Sequence, residues 1–183
     1  MIYKILIICL FVFINTSRSQ INDQSQPESI LKEAIIAIQD QDYLGYTKLL
    51  HPDAALPLIK LINILRSAGL DDARVLGLFG VNTFDELNSA PDSVLVSNFI
   101  QYIFIASQKD KSLNISEPII IGKINEGIDT VHVVYRYSLT TDNMTITKVQ
   151  VESLKRSELG WRLLLKGDLE SVIELLLKRY EKL

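Results

Sequence analysis

The segment VHVVYRYSLTTDNMTITKVQVESLKR, residues 131–156, decides the fold. Apolar and polar side chains alternate from Val131 to Leu139, which predicts a half-buried β-strand. Thr141-Asp142-Asn143 is typical of a turn. A second extended run follows from Met144 to Arg156. Because so short a connection reverses the chain direction, the two strands are predicted to pair antiparallel.

The flanking sequence extends this pair into a four-stranded meander. A β-branched run from Ile115 to Ile124 precedes it, and Trp161–Lys166 follows after a short turn. Residues 27–107 have the apolar spacing of helices, and Leu169–Tyr180 predicts a final helix. Within the first region, helix starts are predicted at Asp71, at the capping box Thr83-x-x-Glu86 and at Ser89. We therefore predict an α+β domain in which N-terminal helices pack on one face of a curved antiparallel sheet.

The register of the strand pair assigns residues to two faces. A two-residue loop puts odd-numbered residues of the first strand on the same face as even-numbered residues of the second. The more apolar face, expected under the helices, carries Val131, Val133, Tyr135, Tyr137, Leu139, Met144, Ile146, Lys148, Gln150, Glu152, Leu154, Trp161, Leu163 and Leu165. The opposite face is only half apolar, which favours a homodimer through Val134, Val149 and Val151.

Residues 1–19 have the order of a secretory signal peptide. A short basic start precedes ten apolar residues, Ile5–Ile14, and a small polar stretch ending at Ser19. Ten apolar residues are about half of what a membrane-spanning helix needs, so no membrane span is predicted. We expect cleavage near Ser19, export to the periplasm or the medium, and one mature domain, residues 20–183.

Composition excludes several classes of site. Cys9 is the only cysteine and lies within the predicted signal, so the mature chain has no disulfide, thiolate metal site or cysteine nucleophile. Loss of Lys4 and Arg18 leaves 17 basic against 22 acidic side chains without a basic cluster, which argues against nucleic acid. His51 and His132 stand far apart without metal-ligand spacing, so no metal or cofactor is predicted. Spacing alone identifies no catalytic triad here.

One apolar segment stands out among the helices. Leu56–Leu65 leaves only a narrow polar stripe, so this helix is expected to be covered on most sides. His51-Pro52-Asp53 before it is interpreted as a helix stop, because proline disfavours helical geometry at the residue it follows.

The stretch AIIAIQDQDYLGYTKLLHPDA, residues 34–54, resembles the opening of the nuclear transport factor 2-like superfamily, especially its polyketide-cyclase (SnoaL-like) branch. The later motifs VHVVYRYSL, VESLKR and GWRLLL are similar to the curved sheet of that family. The resemblance implies a cone-like fold around a pocket and dimerisation through the sheet. Two segments depart from the family pattern, residues 56–65 and 71–89, and both fall at the mouth of the implied cone.

Glu152 suggests where a pocket would lie. With Gln150 it is a polar exception on the predicted inner face, next to Tyr135. A buried carboxylate without a partner is costly, so its presence predicts a functional pocket. The alternative is that strand curvature places Glu152 at the sheet rim, paired with Lys166 or Arg162. The candidate pocket consists of Tyr46, His51, Tyr135, Gln150, Glu152 and Trp161.

These features predict a non-catalytic exported domain that binds a small apolar ligand or a protein partner. Two alternatives stay open. One is a cyclase, dehydratase or isomerase that uses Glu152, His51 or a tyrosine for acid–base chemistry. The other is a structural or assembly subunit that dimerises through the sheet.

Overall fold

The computed structural model describes residues 26–69, 71–107, 114–141, 144–165 and 167–182. The predicted signal peptide lies outside the described residues, as do Asp142, Asn143 and Lys166. The helices within these ranges are α1 (Pro27–Gln39), α2 (Tyr43–Lys48), α3 (Pro52–Ala68), α4 (Ala73–Leu78), α5 (Phe84–Ser89), α6 (Asp92–Ser107) and α7 (Gly167–Tyr180). None of them is long and apolar enough to cross a membrane.

The helix starts follow local capping chemistry. Pro27 occupies the first turn of α1, where its missing N–H costs nothing. Thr83 caps α5 as predicted, since its hydroxyl accepts from the Glu86 N–H at 3.2 Å. The Glu86 carboxylate bonds in turn to the N–H of Asn82, at 2.7 Å, instead of that of Thr83.

The interpretation of His51-Pro52-Asp53 as a helix stop is confirmed at His51, whose backbone is extended between α2 and α3. Pro52 and Asp53 already belong to the next helix, since α3 begins at Pro52. His51 is the N-cap, and its Nδ1 accepts from the Asp53 N–H at 3.1 Å. Proline is tolerated there because the first helical N–H groups have no intrahelical acceptor.

The sheet is an antiparallel meander that does not close into a barrel. β1 and β2 both pair with β3, so they form one interrupted edge, and β4 and β5 continue the order. The strands are β1 (Asn114–Ile115), β2 (Ile119–Glu126), β3 (Thr130–Thr141), β4 (Met144–Ser157) and β5 (Gly160–Leu163). Together with the helices this confirms the predicted α+β architecture.

The predicted strand register is confirmed. Tyr135 lies opposite Gln150, Val133 opposite Glu152, and Leu154 opposite Leu163. Directly opposed residues of an antiparallel pair share a face, so the residues predicted for the inner face do share one. The expectation that all of them lie under the helices is wrong for Met144, Ile146 and Lys148, which are exposed. The central members of this face are buried in the core, namely Val131, Val133, Tyr135, Leu154 and Leu163.

A β-bulge in β2 changes which side chains of this strand lie on the outer face of the sheet, the face away from the helices. The pairing with β3 shifts by one residue between Ile120 and Gly122. Beyond the shift, Ile124 lies opposite His132 on the outer face, and Lys123 turns inward to bind Glu28 of α1 at 2.7 Å. The bulge therefore exposes Ile124 instead of burying it.

Candidate functional site

Four of the six predicted pocket residues come together between the sheet and α2. Tyr135 donates its hydroxyl to Gln150 Oε1 at 3.5 Å, and Glu152 is the next inward-facing residue along β4. Tyr46 lies on α2 and is buried. We call Tyr46, Tyr135, Gln150 and Glu152 the tyrosine–glutamate cluster.

The surroundings of Tyr46 in this cluster raise the pKa of its hydroxyl. Burial raises the pKa of its hydroxyl far above the ordinary value, and the charges of Glu152 and Tyr135 add to the rise. The hydroxyl therefore stays protonated at neutral pH. The ring of Phe104 from α6 packs edge-on against Tyr46 at a centroid distance of 5.7 Å, which joins α2 to α6.

Glu152 is buried, as the interpretation of a pocket on the inner face requires. Only 4% of the residue is exposed, so its carboxylate is not in bulk solvent. The register places Arg162 opposite Lys155, on the other face of the sheet from Glu152. Lys166, the other predicted partner, lies outside the described residues.

Trp161 and His51 do not join the tyrosine–glutamate cluster. Trp161 pairs with Arg156, whose guanidinium carbon lies 5.9 Å from the ring centroid. Arg156 is four residues beyond Glu152, roughly 13 Å along the strand. His51 lies at the sheet edge past β5, where its N–H donates to the Leu163 carbonyl at 2.7 Å.

A second site runs between α3 and α7. This groove of about 720 Å³ is lined by Leu56, Ile59, Lys60, Asn63, Ile64, Ser67, Ala68, Tyr180 and Glu181. Lys60 donates to the Glu181 carboxylate and so links the two helices at the rim. We call this site the helical groove.

The helical groove corrects the expectation that α3 is covered on most sides. The core side of α3 is buried through Leu58, Leu61, Ile62 and Leu65. Its opposite side is not covered, and Leu56 remains 57% exposed. An apolar wall therefore faces outward from a segment whose sequence suggested full burial.

Each of the two histidines belongs to a polar network that includes a residue of β4, Lys155 in one and Ser153 in the other. Lys155 binds the Asp53 carboxylate at 2.8 Å, and Asp53 Oδ2 lies 3.5 Å from His51 Nδ1. The hydrogen bond from Lys155 lowers the pKa of Asp53, and the same bond raises the pKa of Lys155. This network ties the start of α3 to the sheet.

The second network crosses three strands on the outer face. His132 on β3 lies opposite Ser153 on β4, and its Nδ1 is 2.8 Å from Ser153 Oγ. Its Nε2 is 2.7 Å from Glu126 Oε2 on β2. We call Glu126, His132 and Ser153 the histidine row. The predicted register of β3 and β4 already places His132 opposite Ser153. No pattern in the sequence predicts the β-bulge in β2, and so none predicts that Glu126 lies beside His132.

The comparisons with known proteins show no family. No protein-family model matches the chain, and no curated protein matches it. Among solved structures, the chain is similar to the solution structure of a SEC-C motif-containing protein from Rhodopseudomonas palustris, with a TM-score of 0.42 and 8% identity over 80% of this chain and 81% of that one. A likeness this distant carries no functional argument, and the resemblance to the nuclear transport factor 2-like superfamily stays a prediction.

Metal chemistry has no visible support in the part of the chain that the structure describes. There, no three side chains among histidines, cysteines, aspartates and glutamates are arranged to hold an ion. The chemistry that the described sites offer is apolar contact, hydrogen bonding and proton transfer.

Proposed function

We propose that this chain is an exported domain that binds a small apolar ligand in the helical groove. The observation that carries this proposal is the uncovered apolar side of α3 facing α7 across about 720 Å³. Sites for small molecules usually enclose roughly 300–1,000 Å³ and are lined mainly by apolar side chains. Leu56, Ile59 and Ile64 supply such a lining here.

The rim of the groove supports a mainly apolar ligand with a small polar end. Lys60 and Glu181 already neutralise each other, so neither offers an unmatched charge to a ligand ion. Asn63 and Ser67 provide uncharged hydrogen-bonding groups along the same helix side. A neutral ligand with a hydroxyl or carbonyl group therefore suits the groove better than an ion.

Leu56→Asp is expected to weaken binding of the neutral fluorescent probe N-phenyl-1-naphthylamine at least about tenfold, or about 1.4 kcal/mol. The substitution places a charge in the apolar wall and removes a leucine side chain, whose burial by a ligand is worth roughly 1.5–3 kcal/mol. Probe fluorescence under titration measures the dissociation constant, and native mass spectrometry of the purified chain detects a retained ligand.

Ile36→Asp is the matched control, because Ile36 is 51% exposed on α1 and does not line the groove. It should bind the probe like the unchanged chain. Equal binding by the unchanged chain and Leu56→Asp would remove the helical groove as the ligand site.

A second candidate function is assembly through the outer face of the sheet. Val149 and Val151 on β4 are 63% and 55% exposed, and Ile119 and Ile124 on β2 are exposed on the same face. Val134 lies between them on β3, opposite Val151. A two-fold axis near Val134 would bring the same exposed apolar residues of two copies together, so a second copy of the chain is the partner we propose for this face.

Val151→Lys is expected to convert such a dimer into a monomer, since two desolvated lysines would face each other near the two-fold axis. Multi-angle light scattering of the purified chain measures the change in mass. Leu175→Lys, at an exposed position on α7, is the control and should leave the mass unchanged. A monomeric unchanged chain at micromolar concentration would exclude this assembly.

A further inference from the structure

The proton positions in the histidine row follow from its partners. A carboxylate accepts hydrogen bonds and donates none, so the 2.7 Å contact with Glu126 requires the proton on Nε2 of His132. Nδ1 of the neutral ring is then an acceptor. The Ser153 hydroxyl, 2.8 Å away, donates to it. A serine hydroxyl thus points its proton at an imidazole whose far nitrogen is held by a carboxylate.

This is the relation of nucleophile, base and orienting group that activates a serine. The base must be within hydrogen-bonding reach of the hydroxyl proton, and a third group must hold the base in one tautomer. Both conditions are met here across three neighbouring strands of one sheet. The rigid ladder between β3 and β4 fixes His132 and Ser153 opposite each other.

Ser153 also opens onto a cavity. A space of about 330 Å³ is lined by Asp53, Ala54, Pro57, Ser153, Leu164, Leu165 and Glu170. Its walls from Ala54, Pro57 and the two leucines suit a short apolar acyl group. The carboxylates of Asp53 and Glu170 disfavour an anionic substrate.

A positive charge lies on the same strand. Lys155 follows Ser153 by two residues, so both side chains are on the outer face about 6–7 Å apart along β4. Its ammonium group is held by Asp53 at 2.8 Å. Because Asp53 already neutralises this ammonium group, Lys155 offers no unmatched charge to the oxygen that becomes negative when a hydroxyl attacks a carbonyl.

We propose that Ser153 is the nucleophile of an acyl-transfer site that hydrolyses small neutral or cationic carboxylic esters. Ser153 Oγ forms a bond to the ester carbonyl carbon, and its proton moves to Nδ1 of His132. The bond from that carbon to the alcohol oxygen breaks, and the leaving oxygen takes the proton from Nδ1. Water then attacks the acyl-serine, giving a proton to Nδ1 that returns to Ser153 as the carboxylic acid leaves.

The roles in this site differ. Ser153 and His132 are catalytic residues, because both touch the reacting atoms. Glu126 is a positioning residue that acts through His132. Its carboxylate holds the ring in the required tautomer and stabilises the imidazolium that forms.

The test is covalent labelling of the full chain with a fluorophosphonate probe, which phosphonylates activated hydroxyl groups and releases fluoride. We expect one label per chain, located on the peptide containing Ser153 by tandem mass spectrometry. Ser153→Ala should lose the label, and His132→Gln should slow labelling by at least about a hundredfold, as loss of a general base does. Mapping the label on the unchanged chain keeps the test decisive even if a variant folds poorly.

Ser138→Ala is the matched control, since Ser138 lies on the same face of β3 but bonds to the Thr147 hydroxyl at 3.3 Å instead of a histidine. It should be labelled like the unchanged chain. No label on the unchanged chain, or a label elsewhere than Ser153, would overturn the proposal.

Turnover separates the role of Glu126 from a structural one. With p-nitrophenyl acetate, Glu126→Gln should lower kcat roughly tenfold or more with KM unchanged, and Glu126→Asp should recover part of the loss. A structural role alone would change the thermal midpoint without this division between kcat and KM. Equal kcat for Glu126→Gln and the unchanged chain would remove Glu126 from the site.

Discussion

Replacing Phe99 by alanine is expected to lower the free energy of unfolding by about 3–5 kcal/mol, the usual cost of such a truncation in a packed core. Phe99 is completely buried in the centre of α6, and its ring lies 5.5 Å from that of Phe79. The cavity left behind cannot collapse easily, because α6 is held from one side by α2 and from another by α3. Urea unfolding followed by circular dichroism measures the loss.

The expected loss is a large share of the roughly 5–15 kcal/mol by which a domain is stable. Phe99→Leu should cost much less, since it keeps most of the side-chain volume. Tyr102→Ala on the same helix, at a position 45% exposed, should cost less than about 1.5 kcal/mol. Similar losses for Phe99→Ala and Tyr102→Ala would mean that the middle of α6 is not the centre of the core.

Replacing Arg66 by methionine is expected to lower the free energy of unfolding by about 2–4 kcal/mol. The guanidinium group of Arg66, on α3, donates to the carbonyls of Leu87 and Ala90 at 3.1 and 2.7 Å and to the Asp92 carboxylate at 2.6 Å. It thereby joins α3 to the end of α5 and the start of α6. Methionine keeps the apolar stem but leaves two carbonyls and one carboxylate without this donor.

The expected loss is smaller than for a fully buried ion pair, because the Arg66 side chain is 20% and that of Asp92 39% exposed to water. Arg74→Met, at an exposed position on α4, is the control and should change stability by less than about 0.5 kcal/mol. A double-mutant cycle with Asp92→Asn isolates the ionic part. Equal stability of the Arg66 and Arg74 variants would show that the connection holds through apolar contacts alone.

Helix positions were predictable where local chemistry decides them. The spacing of Ile30, Leu31, Ala34 and Ile35 marks α1, and the Thr83 cap marks α5. The same logic failed where two local signals compete. The sequence suggests Asp71 as the cap of the next helix, but Asp72 accepts the Arg74 N–H at 2.9 Å. Ser89 resembles a cap for α6, yet its hydroxyl donates to the Glu86 carbonyl and it ends α5.

The candidate sites were predictable only in part. The alternation along β3 and β4 was sufficient to place Tyr135, Gln150 and Glu152 on one face, since side chains in a strand change sides at every residue. Trp161 shares their face but is too far along the sheet to reach them. Spacing along a chain gives the face of a residue, whereas distance on that face depends on which strands are neighbours.

The residues alone determined the α+β order of elements, the β3–β4 register and the face of the sheet on which Glu152 lies, because each follows from periodicity or from the length of a turn. Tertiary structure decided that α7 packs beside α3 while leaving Leu56 uncovered, and that Glu126 reaches His132 beyond the bulge in β2. Neither is encoded in a local pattern. Both depend on how surfaces distant in sequence fit together, and such a fit is settled only when the whole chain has packed.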